Sequence, residues 1–137
     1  MTTPVRISGS FDVRLDACPA DPGFEDLPIG RRTIDKRFHG ELDAASRGQM
    51  LAFRSAVQGS AGYVAMERVE GTLCGRRGSF VLQHSGTMQG GGQSLALSVV
   101  PDSGDGELAG LAGDMAIRIE EGGRHFYDFT FTLPAAR

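Results

Sequence analysis

Apolar and polar residues alternate along most of this chain, and a period of two is the pattern of β-strands that bury one face. The first segment shows it clearly, because its apolar residues fall at odd positions and its charged and hydroxyl residues at even positions. Its apolar positions are Val5, Ile7, Phe11, Val13 and Leu15. The last segment, 124–133, places His125, Tyr127, Phe129, Phe131 and Leu133 on one side. Both segments predict strands with one side in a hydrophobic interior.

Six further strands of the same kind are predicted between these two. They cover residues 31–40, 47–56, a hairpin from 62 to about 87 that contributes two strands, 93–101 and 112–121. Most of the connections contain glycine, whereas residues 18–28 form a long, proline-rich connection. Eight short alternating strands with little helix predict an all-β fold, an eight-stranded antiparallel β-barrel, in one domain over residues 1–137. A two-sheet sandwich is the alternative architecture.

Composition supports this picture and excludes several classes of function. The 20 glycines among 137 residues are about twice the usual frequency, and they are scattered between apolar segments as turns and bulges require. A net charge of −3 gives no electrostatic basis for binding nucleic acid or an anionic membrane. The chain contains no run of 18 apolar residues, so no membrane-spanning helix is predicted.

The residues that usually hold metals or form disulfides show no such pattern here. Cys18 and Cys74 match no metal-ligand spacing, and the three histidines form no metal-binding motif. We therefore expect no metal and no cofactor. The first 16 residues lack the apolar core of a signal peptide, so a cytoplasmic location is expected, where unpaired thiols are ordinary.

The most informative polar residues lie in the predicted hairpin. A four-residue loop from Gly75 to Gly78 would set Val69 opposite His84 and leave Glu67 on the diagonal from His84, within side-chain reach. Both side chains then face the interior, where each can satisfy the other, because a buried carboxylate is stabilised by a hydrogen-bonding partner. Such a pair is more often a structural contact than a catalytic one.

Lys36 is the chain's single lysine, and its strand predicts an unusual place for it. Ile34, Lys36 and Phe38 alternate, so the apolar phase of this strand points Lys36 inward. A slip of one residue would turn the lysine to solvent. Lys36 joins Glu67 and His84 as a catalytic candidate.

Three stretches of the chain resemble a known bacterial family, the domain of unknown function 3224. They are "GRRTIDKRFHGELDAASRGQML", "GSAGYVAMERVEGTLCGRRGSFVLQHSGTM" and "SVVPDSGDGELAGLAG", and the resemblance spans about residues 3–133. It implies an eight-stranded barrel similar to that of plant allene oxide cyclase, a calycin-like architecture, but it implies no activity. Gln49 stands where glutamate is expected in the family, and Cys74 where histidine or glycine is common.

Three functions fit these observations. The first is a binding module that holds a small, largely apolar molecule inside the barrel. The second is a cofactor-free isomerase, cyclase or hydrolase in which Glu67 orients His84 as general acid or base. The third is a filled barrel, with a homodimer or other contact over outer apolar residues such as Val64, Met66 and Val81. The residues expected to line a ligand site are Tyr63, Glu67, Leu82, His84, Tyr127 and Phe129.

Overall fold

Eight long β-strands make up most of the molecule in a computed structural model that describes residues 3–135. A two-residue strand and one turn of 3-10 helix, Glu121–Gly123, complete the regular structure. The strands are β1 (Val5–Cys18), β2 (Gly30–Phe38), β3 (Leu42–Arg54), β4 (Ala61–Leu73), β5 (Arg76–Gln89), β6 (Gly92–Val99), β7 (Asp105–Gly106), β8 (Ala112–Glu120) and β9 (Arg124–Thr132). Of the long strands, β3 differs most from its predicted bounds, since it begins at Leu42 and not near residue 47.

The long strands close into an antiparallel barrel, as the alternation predicts. The order around the barrel is β4-β3-β2-β1-β9-β8-β6-β5, and β5 pairs with β4 to close it, while the short β7 adds to β5. The shortest strand pairing in the barrel is that of β6 with β8, in which Ser98 and Asp114 are the single aligned pair. The sandwich alternative is therefore wrong.

The β4–β5 hairpin corrects the predicted register. Leu73 pairs with Arg76 across a two-residue turn, and Ala65, not Val69, lies opposite His84. The turn residues Cys74 and Gly75 have φ of 51° and 81°, and two positive φ angles give the tight turn that matches strand twist. The register moves by four residues, and because four is even every side chain keeps its predicted face.

One end of the barrel is filled and covered, and we call it the closed end. It carries the β2–β3 and β4–β5 turns and the 100–111 connection, from which Leu108 and Leu111 are buried against the interior. Aromatic rings fill the space next to it: Phe80 stacks on Phe129 and Phe38 meets the edge of Tyr127. These rings belong to one continuous cluster of buried apolar side chains, and their packing holds the surrounding strands together.

The opposite end, which we call the open end, carries the connections 19–29, 55–60, 90–91 and 121–123. Here residues in the inward phase of their strands remain in contact with solvent. They are Leu15, Met88, Leu95 and Ile119, which are 44, 37, 41 and 65% exposed. Apolar side chains from connection 19–29 are exposed at the same end, including Phe24 and Ile29.

Candidate functional site

A layer of polar side chains lies inside the barrel between the aromatic core and the open end. Four adjacent strands each contribute one buried residue to it: Lys36, Ser46, Glu67 and His84. Buried ionisable groups are rare in proteins unless they are paired. The layer is therefore a specific feature of this barrel and not part of its general packing.

Strand register brings these side chains together. Lys36 pairs with Ser46 across β2 and β3, and Gly48 pairs with Glu67 across β3 and β4. Glycine is required at position 48, because a Cβ there would lie 2.0 Å from the Met66 carbonyl oxygen and 2.6 Å from the Glu67 Cα. The close approach of β3 and β4 at this point is what sets the backbone of Glu67 among its partners.

Glu67 is the centre of the layer. Its Oε2 accepts hydrogen bonds from Lys36 Nζ, at 2.8 Å, and from His84 Nε2, while its Oε1 accepts one from Ser46 Oγ at 2.6 Å. Burial alone would raise the pKa of Glu67, but the bond from His84, the charge and bond of Lys36 and the bond from Ser46 outweigh it. Together they lower the pKa of Glu67 from 4.5 to about 2. Glu67 is thus an ionised carboxylate that its three protein partners stabilise.

Lys36 points inward, as the phase of β2 predicts. Its Nζ lies 5.1 Å from the centre of the Phe11 ring and 5.8 Å from that of Phe38, distances at which a cation interacts with aromatic faces. With Glu67 as its ion-pair partner, the ammonium is enclosed on several sides. Lys36 is consequently in position to hold Glu67 ionised rather than to meet a molecule entering from the open end.

Tyr63 connects the layer to the open end. Its hydroxyl lies 3.2 Å from His84 Nδ1, and its ring packs over Gly86, the residue directly opposite on β5. A Cβ at Gly86 would come within 2.5 Å of the Tyr63 ring, so glycine makes room for the ring. Burial, followed by the charge of Glu67, raises the pKa of Tyr63, so this phenol keeps its proton at neutral pH.

The hydrogen bonds fix where protons can reside. An ionised carboxylate only accepts hydrogen bonds, so His84 Nε2 carries a proton and donates a hydrogen bond to Glu67. The variable position is Nδ1, which faces the Tyr63 hydroxyl. The chain from Tyr63 through His84 to Glu67 can therefore pass or hold one proton at its Tyr63 end, which is the chemistry of a general acid or base.

The remaining predicted ligand residues lie deeper in the molecule. Leu82, Tyr127 and Phe129 are fully buried in the aromatic core. The Tyr127 hydroxyl donates to the His39 carbonyl oxygen at 2.8 Å, so its polar end is occupied by backbone. Among the predicted residues, the structure thus joins Lys36, Tyr63, Glu67 and His84 in one network and places the other three in the core.

One member of the network was absent from the sequence prediction. Ser46 lies in "DAASRG", where small residues give little hydrophobic contrast, and its contact with Glu67 depends on the register between β3 and β4. The alternation of Leu42, Ala44 and Ser46, all buried, was the available signal. Reading it would have extended β3 towards its N-terminus.

Two hollows lie outside the barrel's polar layer. A groove of about 520 Å³ is lined by Arg31, Gln49, Met50, Leu51, Val64, Ala65, Met66, Gln83, His84 and Ser85. Most of these residues face outward, and the three inward ones alternate with them along the strands, so the groove lies on the outer face of β2–β5. A smaller hollow of about 200 Å³ at the closed end is lined by residues that include Leu73, Arg76 and Phe131.

The described part of the chain contains neither a metal-binding cluster nor a membrane-spanning helix. Within residues 3–135 no cluster of three or more histidine, cysteine or acidic side chains is arranged to hold a metal ion. No helix in the same range is long and apolar enough to cross a membrane.

Comparison with known proteins identifies the family. The model of the family described as "Protein of unknown function (DUF3224)" matches residues 7–131. The chain belongs to the DUF3224 family. It is also similar to a DUF3224 protein of unknown function from Shewanella oneidensis MR-1, whose crystal structure shares 51% sequence identity over 98% of this chain and 100% of that one, with a TM-score of 0.89. No curated protein of known function matches. The family assignment and the barrel fold agree with what the sequence motifs imply, and neither supplies an activity.

Proposed function

We propose that this DUF3224 protein binds a small, largely apolar molecule at the open end of its barrel. The observation that carries the proposal is the set of inward-phase apolar side chains that remain exposed there, at Leu15, Met88, Leu95 and Ile119. Apolar side chains make up most of the lining of a typical ligand site. The interior of an eight-stranded barrel is just wide enough to be filled by side chains or to hold one small ligand.

The polar layer gives such a site one end that can form hydrogen bonds. Tyr63 and Leu95 both pack over Gly86, since a Cβ there would lie 2.5 Å from the Tyr63 ring and 3.4 Å from a Leu95 methyl group. The tyrosine hydroxyl network therefore adjoins the apolar lining. A few polar groups at the bottom of an apolar site typically fix the orientation of a ligand.

Native mass spectrometry of freshly purified protein tests the proposal, together with titration of the apolar fluorescent probe 1-anilinonaphthalene-8-sulfonate. We expect added mass that is lost on denaturation, and probe fluorescence that rises on binding. Leu95→Asp should abolish both. Val64→Asp is the matched control, because Val64 is also an exposed apolar residue but faces outward on β4, and it should abolish neither. A wild-type protein with a bare mass and no probe response would overturn the proposal.

A cofactor-free isomerase, cyclase or hydrolase is a second candidate, favoured by the hydrogen-bonded chain from Tyr63 through His84 to Glu67. If the molecule released in the mass spectra is converted by the wild-type protein, and His84→Gln stops the conversion while Tyr127→Phe does not, this candidate replaces simple binding.

Contact through the outer face is a third candidate, favoured by the groove on β2–β5 and its exposed Leu51, Val64 and Met66. The same native spectra report the oligomeric state. A homodimer that Val64→Asp dissociates would favour this candidate.

A further inference from the structure

We infer that two copies of this chain pair through the free edge of β6, residues 93–96, so that the sheet of one barrel continues into the next. This surface differs from the groove on β2–β5, and ligand binding at the open end does not depend on it. Three features of β6 support the pairing: an edge that no strand covers, backbone groups that point outward from it, and a complete lack of charge.

The free edge lies where β6 leaves its neighbour β8. Along its whole length β6 is aligned with β5, whereas Ser98 and Asp114 are the single aligned pair between β6 and β8. Residues 93–96 are all exposed, although interior and exterior residues normally alternate along the strands of a closed barrel. Exposure of both faces and the lack of aligned partners make this half of β6 an open sheet edge.

The backbone groups at this edge point away from β5. The Val100 N–H donates to the Val81 carbonyl oxygen on β5, and bonded positions alternate along an antiparallel pair. The register of β6 on β5 is constant from Gly92 to Val99, so the even-numbered residues bond to β5. The N–H and C=O groups of Gln93 and Leu95 face the other way, where no strand of the described chain is aligned with them. An extended polypeptide offers the matching donors and acceptors.

The free edge also lacks the features that usually keep sheet edges apart. Exposed edges in natural proteins generally carry charged residues or proline, or are covered by another segment, and each of these prevents pairing with a second chain. Of the eight long strands in residues 3–135, β6 is the one without a charged side chain, and it contains no proline. The β8 strand across the gap, in contrast, carries Arg118 and Glu120. An edge as neutral as that of β6 is expected where a second strand covers it.

A second copy of β6 fits this edge. If a two-fold axis passes by Ser94, Gln93 of each copy bonds to the partner's Leu95, and every free backbone group of Gln93 and Leu95 is used. No like charges meet, because β6 has none, and the outward side chains Ser94 and Ala96 are small. The contact is short compared with stable interfaces, so we expect a weak dimer with a micromolar dissociation constant.

Sedimentation equilibrium of the full chain at a series of micromolar concentrations tests the pairing. We expect the wild-type protein to dimerise. Ser94→Lys and Ser94→Asp should each raise the dissociation constant about tenfold or more, because like charges then meet across the axis. An equimolar mixture of these two variants should dimerise again, since opposite charges meet in the heterodimer. Thr87→Lys is the matched control: Thr87 is exposed opposite Ser94 on β5, one strand farther from the axis, and its change should alter the constant by about twofold at most.

A proline tests the backbone hydrogen bonds separately. Gln93→Pro removes the N–H that faces the partner but none that bonds to β5. Two hydrogen bonds are lost in each dimer, so the dissociation constant should rise about tenfold. Gln93→Ala keeps the N–H and should leave the constant close to that of the wild type. Should Gln93→Pro not fold, the Ser94 variants decide the matter.

Three results would overturn the pairing. The first is a wild-type protein that sediments as a monomer at every concentration. The second is a dimer that Val64→Asp dissociates and Ser94→Lys does not, since the groove on β2–β5 would then join the copies. The third is a mixture of Ser94→Lys and Ser94→Asp that dimerises no better than either variant alone.

Discussion

The chain contains two tyrosines, and they sit in the same barrel in closely similar ways. Both point inward, and each packs over a glycine directly opposite on the neighbouring strand: Tyr127 over Gly9 and Tyr63 over Gly86. A Cβ would lie 2.6 Å from the Tyr127 hydroxyl at one glycine and 2.5 Å from the Tyr63 ring at the other. Burial is the largest cause of a raised pKa at both.

They differ in what their hydroxyl groups meet. Tyr127, towards the closed end, donates to the His39 carbonyl and accepts a longer bond from the Leu42 N–H. Both partners are backbone groups whose protonation does not change. Tyr63 meets the Nδ1 atom of the His84 imidazole, which donates or accepts a hydrogen bond according to whether it carries a proton. The same residue type therefore closes the structure at one end and leaves an adjustable hydrogen bond at the other.

The comparison shows that the two ends of the barrel differ in the kind of groups they bury. At the closed end, the fully buried side chains that fill the interior, such as Phe80, Tyr127 and Phe129, are uncharged. At the open end, an ion pair and an imidazole lie beneath apolar side chains that solvent still reaches. Buried ionic groups often contribute little to stability compared with an apolar core, and their position beside an accessible apolar rim fits the ligand site proposed above.

The largest effect that separates the two ends is expected from Glu67→Gln. The change leaves Lys36 with no anionic partner in a buried position, and removing one member of a buried ion pair typically destabilises a protein by about 3 kcal/mol or more. Urea denaturation followed by tyrosine fluorescence would measure the free energy of unfolding.

Lys36→Met in the same background is the matched control. Methionine removes the stranded charge and fills similar space, so the double variant should be more stable than Glu67→Gln alone. If adding Lys36→Met instead gives a further loss equal to its own single effect, the two residues do not act as a pair and the polar layer is not held by its charges.

The second-largest effect is expected on the free energy of unfolding when the pH is lowered. The pKa of Glu67 is depressed in the folded protein, from 4.5 to about 2, so the folded state binds this proton less readily than the unfolded state does. Its contribution to stability is therefore complete above about pH 4.5 and is lost as the pH falls towards 2. At pH 3 we expect the loss to reach about 2 kcal/mol.

The measurement is the free energy of unfolding between pH 6 and pH 3, in the wild-type protein and in the Lys36→Met, Glu67→Gln double variant. The difference between the two curves isolates Glu67 from the other carboxylates. Parallel curves over this range would show that the carboxylate is not held ionised by its partners.

How much of this site the sequence could predict depends on how local each contact is. Alternation alone correctly directed Lys36 and His84 inward, because the phase of a strand is a property of a few neighbouring residues. Glu67 stayed on the diagonal from His84 despite the corrected register, since the predicted partner Val69 and the observed partner Ala65 lie two residues either side of it. The turn length itself was wrong, because Cys74 is an unusual residue for a positive φ.

The contacts between residues far apart in the sequence could not be predicted from the sequence. The bond from Lys36 to Glu67 joins residues 31 positions apart, and it requires the registers of β2 on β3 and of β3 on β4 to be known together. The close approach at Gly48 is of the same kind. Such pairings depend on the whole closed barrel, and a single sequence gives no direct signal for them.

The smallest effect returns to the two tyrosines, and it bears most directly on what each end does. Tyr127→Phe leaves the His39 carbonyl without its part-buried hydrogen bond of 2.8 Å, which should lower the free energy of unfolding by about 1–2 kcal/mol. Tyr63→Phe removes a hydroxyl that is half-buried beside the open end, where water can replace its bond to His84, so the loss should stay below about 1 kcal/mol. Urea denaturation of the two variants side by side makes the comparison.

Stability and binding should then move in opposite order. Tyr127→Phe is expected to reduce stability more while leaving probe binding at the open end unchanged, and Tyr63→Phe to reduce stability less while weakening the binding of the proposed ligand. The contrast would fail if Tyr63→Phe proved the more destabilising of the two. The Tyr63–His84 bond would then be a structural contact like that of Tyr127, and the polar layer would serve the fold at both ends of the barrel.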